Sequence, residues 1–143
     1  MSIVAYIDGG ARGNPGPAGY GVRIEDETGI LIDEFHGFLG SATNNIAEYS
    51  GLLAALRYAR EHGHRKVRIK SDSELLVKQM RGEYRVKSPG LQPLHREACS
   101  IAHGLERIIY EHVRREQNKD ADRLANLAMD LGTGQSTLPE SRS

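Results

Sequence analysis

The chain has 143 residues, enough for one domain that buries roughly 70% of its extended-chain surface and too few for two ordinary domains. Nineteen Lys and Arg against nineteen Asp and Glu leave a formal net charge of zero, which excludes a general cationic coat for nucleic acid and confines any such affinity to local patches. The one cysteine, Cys99, excludes an internal disulfide, Met1 leads straight into IVAYID with no basic or apolar leader, and no apolar run approaches the ~20 residues of a bilayer span, so a cytoplasmic protein without membrane association is expected.

The N-terminal third reads as three strands. IVAYID is nearly continuous apolar, as a central strand covered on both faces requires, and Asp8 ends it. GYGVRIED and ILIDEFHGFLG follow, joined through the turn DETG, so the three pair antiparallel. The glycine-rich DGGARGNPGPAGYG lacks both the Gly-Lys-Ser/Thr ending and the following helix of a phosphate loop, and reads as a tight connection between strands. From Asn44 the period becomes helical: Leu52, Leu53, Leu56 and Ala59 recur every three or four residues, with Thr43 or Asn44 as cap and Gly63 as stop. VRIKSD is a fourth strand, Asp72 or Ser73 caps the short helix ELLVKQM, YRVKSPG is a loop, and Pro93 suits the start of a helix to about Leu105. Cys99, inside ACSIA on that helix, reads as a small buried apolar group rather than a reactive thiol. RIIYEHV is a fifth strand, DADRLANLAMDL a closing helix, and GTGQSTLPESRS a tail too polar to order itself. The expected fold is α/β, a mixed five-stranded sheet with three antiparallel strands then two parallel ones, flanked by helices. It forms one domain over residues 1–131, with a flexible tail over 132–143. The basic run from Arg57 to Lys70 reads as a solvated helix end and turn rather than as a nucleic-acid patch.

Four acids stand at the junctions of these elements: Asp8, Glu48, Asp72 and Asp122. Each falls at a core edge, where an unpaired carboxylate costs several kcal/mol unless a partner or cation compensates. Glu48 shares a helical stripe with Leu52, Ala55 and Leu56 and should point inward. Asp8 and Asp72 meet it if their strands are neighbours, at the strand ends where such sheets bind ligands. Asp122 joins from the last helix, with Asp120 as competitor. Singly, Asp72 and Asp120 could be helix caps and Glu48 a hydrogen-bond acceptor. Jointly, the cluster points to divalent cations, since two unit charges about 4 Å apart repel by roughly 4 kcal/mol at an effective dielectric near 20. Hard oxygen ligands without a Cys or His cluster select Mg²⁺ or Mn²⁺ over Zn²⁺, and sparse carboxylate ligation of Mg²⁺ is typical of phosphoryl-transfer sites.

DGGARGNPGPAGYG, TNNIAEYSGLLAAL, SDSELLVKQMRGEYRVK and REQNKDADRLAN, in that order over residues 3 to about 130, resemble the successive signatures of the type 1 ribonuclease H family, in its prokaryotic form without the basic protrusion. The resemblance implies a ribonuclease H-like fold and a monomeric endonuclease that cuts the RNA strand of RNA–DNA hybrids with divalent metal, leaving 5′-phosphate and 3′-hydroxyl ends. Mg²⁺ would be the cofactor, with Mn²⁺ as substitute, and two ions would act together. By motif, Asp8, Asp72 and Asp122 would hold metal, while Glu48 would hold one ion and position water. Asp122 takes the fourth place because it is the acid of ADRLA.

The resemblance also marks substrate contacts. Asn14, Asn44 and Asn45, with Thr43 beside them, stand where relatives touch the minor groove and the 2′-hydroxyls that distinguish RNA from DNA, although turn and cap chemistry also explains them. Glu74 replaces a groove-contacting glutamine of some relatives and could still accept from a 2′-hydroxyl. The family's mobile loop histidine is missing from RREQN. His112 has the matching offset but reads as strand, leaving Arg115 to contact phosphate without acting as a base. The short stretch from Met80 to Leu94 keeps only Arg81, Arg85 and Lys87, with Tyr84 as a stacking face, so weak and salt-sensitive substrate binding is expected. The rival functions are another metal-dependent nuclease of the same fold, resolvase or transposase-like, and a non-catalytic hybrid-binding module.

Overall fold

In the computed structural model, which describes residues 2–134, alternation along the first strand sets the layers. In β1 (Ser2–Ala11), Ile3, Ala5 and Ile7 are buried while Val4, Tyr6 and Asp8 are half-buried, so one sheet face is sealed and the other partly covered. β2 (Gly16–Glu25) and β3 (Leu31–Ala42) extend the sheet antiparallel on one side. β4 (Lys66–Ser71) and β5 (Arg107–His112) extend it parallel on the other, giving the order β3-β2-β1-β4-β5. The parallel pairs need crossovers: α1 (Asn44–Glu61) links β3 to β4, and α2 (Glu74–Met80) with α3 (Gln92–His103) links β4 to β5. A short 3₁₀ turn, Arg115–Gln117, leads into α4 (Lys119–Gly132).

The stripe expected on α1 is the core. Leu52, Leu53, Leu56 and Ala59 are buried against Ile3, Ile7, Ile69, Leu76 and Val77. Tyr49 donates to Gln79 Oε1 at 2.7 Å inside this layer, tying α1 to α2. Across the sheet α4 packs on β2, where a Cβ on Gly21 would fall 2.4 Å from the Ala121 carbonyl oxygen. Among the described residues no helix is long and apolar enough to cross a membrane.

Several boundaries differ from the sequence expectation. Asp8 does not end β1, which continues through Gly9 and Gly10 to Ala11, so the tight connection shrinks to residues 12–15. The cause is tertiary: a Cβ on Gly9 would stand 2.3 Å from the Ala47 backbone, so the glycines let α1 lie directly on an unbroken strand. Thr43 caps α1, its hydroxyl accepting from Ile46 N at 3.2 Å. Ser73, not Asp72, caps α2, accepting from Leu76 N at 3.2 Å, and Asp72 is thereby free for the site. α3 ends at His103, before Leu105. α4 runs to Gly132, one position into the expected tail, whose residues 135–143 lie outside the described residues. Cys99 is half-buried rather than buried, with Sγ 3.6 Å from His95 Nε2. Burial raises its thiol pKa, which disfavours the reactive thiolate.

Candidate active site

Four chain segments deliver their acids to one end of the sheet. β1 and β4 are parallel neighbours, and their last registered pair is Ile7 with Ser71, so Asp8 and Asp72 emerge side by side one residue later. Asp8 lies opposite Gly21 on β2, and because Gly21 has no side chain α4 approaches closely and brings Asp122, in its first turn, against Asp8. Glu48 arrives from the other layer on α1, where Gly51 sits so close that its Cβ would be 3.1 Å from the Asp8 carbonyl oxygen. All four carboxylates are half-buried.

Their proton affinities reveal the crowding. Burial first, then the Asp72 charge and the adjoining Asp122 carboxyl, push Asp8 from 3.8 up to about 8. Burial pushes Glu48 from 4.5 up to about 7, the Ser73 hydroxyl pulling it back and the Asp72 charge adding to the rise. Asp72 is also raised, by burial first, against the Arg115 charge and the Asn118 amide, which favour its ionised form. Negative charge thus exceeds the local cations, and without a ligand Asp8 and Glu48 keep protons into the neutral range. Asp120, the competitor of Asp122, is exposed and engages Arg123 at 3.4 Å.

Among the described residues no group of three or more His, Cys, Asp or Glu forms a ready-made metal cage. The donor set nevertheless fits Mg²⁺, which keeps several waters and takes one or two carboxylates plus substrate phosphate. It does not fit Zn²⁺, for which imidazole and thiolate ligands are missing.

Of the expected substrate contacts, Asn14 and Asn44 are already tied together. Asn44 N donates to Asn14 Oδ1 at 3.1 Å, and Ala11 N donates to Asn44 Oδ1 at 2.8 Å, leaving their amide donors for a ligand. Asn45 and Glu74 are exposed, Glu74 lying 3.2 Å from Lys78 Nζ. Arg115 lies near Asp72, and His112 is the exposed last residue of β5. Two residues were invisible to sequence reasoning. Asn118 is 1% exposed and donates to the Ile7 carbonyl at 2.9 Å, while its Oδ1 has no partner among the described residues. It stands at the start of α4 yet makes no side-chain cap, so its only sequence signal, an Asn before a helix, pointed to a different role. Ser73 had been read only as a cap.

Residues 6–128 match the profile of a family described as reverse transcriptase-like. The bifunctional protein Rv2228c of Mycobacterium tuberculosis is 46% identical over 132 residues, covering 91% of this chain and 36% of that protein. The chain therefore spans about a third of the length of that curated relative. The solved N-terminal ribonuclease H domain of Rv2228c superposes with a TM-score of 0.90 at 44% identity, covering 94% of this chain and 97% of that one. Ribonuclease H1 from the halophilic archaeon Halobacterium salinarum gives 0.88 at 38% identity, covering 91% and 98%. LC11 ribonuclease H1 in complex with an RNA/DNA hybrid gives 0.87 at 41%, covering 92% and 99%. The chain belongs to the type 1 ribonuclease H family, with the mixed five-stranded sheet of its structural relatives.

Proposed function

We propose that this chain hydrolyses the RNA strand of RNA–DNA hybrids in a divalent-metal-dependent reaction, leaving 5′-phosphate and 3′-hydroxyl ends. The observation that carries the reading is the convergence of Asp8, Glu48, Asp72 and Asp122 at one end of the sheet, with Asp8 and Glu48 pushed up to about 8 and about 7. The similarity to LC11 ribonuclease H1, solved with an RNA/DNA hybrid, supports the substrate.

In this reading Asp8, Asp72 and Asp122 would hold two Mg²⁺ ions, with Mn²⁺ as substitute, and Glu48 would hold one of them and orient the attacking water. Bound cations supply water activation at neutral pH and stabilisation of the leaving oxygen. The chain's own residues do the positioning. Ser73 steadies Glu48, Asn118 anchors the start of α4 to β1 through the Ile7 carbonyl, and Arg115 meets the phosphate as a fixed cation with no proton to exchange. Asn14, whose Oδ1 accepts from Asn44 N, and Asn44, whose Oδ1 accepts from Ala11 N, turn amide donors toward the 2′-hydroxyls, with Thr43, Asn45 and Glu74 flanking them. In this reading the enzyme works as a monomer in the cytoplasm, a reducing compartment that suits the free Cys99.

Cleavage of end-labelled hybrid, single-stranded RNA, duplex DNA and a four-way junction, each in parallel, tests the substrate. Cleavage of the RNA strand of the hybrid alone is expected. Cutting of the junction with the hybrid left intact would replace this reading by that of a resolvase.

A further inference from the structure

Among the described residues, half of one sheet face has no helix over it. α4 packs across β1, β2 and β3, and beyond it the registers Ser2–Lys66–Arg107 and Val4–Arg68–Ile109 bring six side chains onto the same open face. They line a cavity of about 430 Å³ at the start of the three parallel strands, within the size range of small-ligand sites. Ser2, Val4 and Asp8 share one strand, so at about 3.3 Å per residue the cavity's edges lie roughly 13 and roughly 20 Å from Asp8. It is a separate place on the molecule.

Its chemistry is two-sided. Lys66, Arg68 and Arg107 supply cations, against Glu27 as the acid of the lining. Lys66 lies 3.7 Å from Glu106, and Arg68 lies 3.0 Å from Glu111. These pairs are solvent-exposed and weak in water, so a multivalent anion can displace them. Among the described residues Arg107 has no carboxylate partner. Val4 and Ile109, half-buried, form an apolar floor between the cations. The basic run expected to be a solvated helix end and turn is therefore divided. Its last part, Lys66, Arg68 and Lys70, alternates along β4 on one face, with Lys70 held 5.3 Å above the Tyr6 ring.

We propose that this cleft binds a nucleotide unit, the phosphate on Arg107, Lys66 and Arg68, the flat base on Val4 and Ile109, and a sugar hydroxyl donating to Glu27. A lone phosphate would leave the apolar floor uncovered, and a nucleoside would leave the cations unanswered. The same unit could come from a free mononucleotide or from a polynucleotide strand crossing the open face.

The test is calorimetric titration of the whole chain in chelator, with adenosine 5′-monophosphate, adenosine and a 5′-phosphorylated oligothymidylate as probes. The monophosphate should bind, and adenosine at least about tenfold more weakly, as expected for loss of a charge-assisted contact. The Lys66→Gln/Arg107→Gln double variant should lose at least about tenfold in affinity for the monophosphate on the same grounds. Its thermal midpoint and hybrid cleavage should be unchanged, and Arg107→Gln alone, at an exposed position, serves if the double variant fails to fold. An oligonucleotide that binds more tightly than the monophosphate identifies a strand as the source, and the reverse order identifies a free nucleotide. Undiminished binding by both variants, or adenosine binding as well as its monophosphate, overturns the proposal.

Discussion

Asp8→Asn should make the metal-free protein more stable while removing its function. Asp8 is pushed from 3.8 to about 8 by burial and by the neighbouring Asp72 and Asp122. A carboxyl whose folded-state pKa is raised is favoured while protonated, so the folded state carries no penalty below the ordinary value and loses stability as pH rises from there through about 8. At ~1.4 kcal/mol per tenfold in proton affinity, the cost at neutral pH would be roughly 4 kcal/mol if Asp8 bore it alone. The proton is shared among the neighbouring carboxyls, so about half, ~2 kcal/mol, is expected from the substitution. For a domain of this size that corresponds to a rise of roughly 6 °C in Tm. Thermal unfolding of both proteins in chelator at about pH 8.5 and about pH 4.5 measures it: the gain should be full at the higher pH and mostly gone at the lower. A destabilised variant at the higher pH, or an equal gain at both, would refute the account of a charge-strained cluster.

Other outcomes follow from the same geometry. Glu48→Gln and Asp72→Asn should each lower hybrid cleavage by about a thousandfold or more, equivalent to ~4 kcal/mol of transition-state stabilisation, with circular dichroism unchanged; retained Mg²⁺-dependent turnover by either would contradict the site. Asn118→Ala removes the bond to the Ile7 carbonyl and should cost about 2 kcal/mol in denaturant unfolding, while raising the Mg²⁺ concentration for half-maximal cleavage; an unmoved Mg²⁺ midpoint would show that Asn118 is only structural. Arg115 lowers the pKa of Asp72, so Arg115→Ala should move the acidic limb of the pH–rate profile to higher pH, with Arg115→Lys restoring most of it. Hybrid binding should be weak and should weaken further as salt is raised, with a modest slope because only Arg81, Arg85 and Lys87 lie between Met80 and Leu94, and a flat salt titration would speak against phosphate contacts there.

The parts of this fold set by local period were legible in the sequence. The α1 stripe and the continuous apolar β1 each carried their own signal, and short turns against long crossovers fixed which strands pair antiparallel. The ADRLA motif singled out Asp122 over Asp120, and in the structure Asp122 adjoins Asp8 while Asp120 is exposed beside Arg123. What escaped depended on contacts between distant segments. Gly9 and Gly10 read locally as the end of a strand, because nothing in the sequence announces that α1 will press on them. Asn118 carried no signal of its role, since its bond to Ile7 spans 111 positions. The open cationic face needed the register of three strands at once, and the run from Arg57 to Lys70 could not show which of its cations would share it.

Single-turnover cleavage of labelled RNA–DNA hybrid, followed as Mg²⁺ is titrated into chelator-treated protein with Asp72→Asn alongside, tests the carboxylate site most directly. The wild-type rate should climb from nothing to saturation with added Mg²⁺ while the variant stays flat. Cleavage that persists in chelator, cleavage at no concentration of Mg²⁺ or Mn²⁺, or a variant that follows the wild-type curve would contradict it.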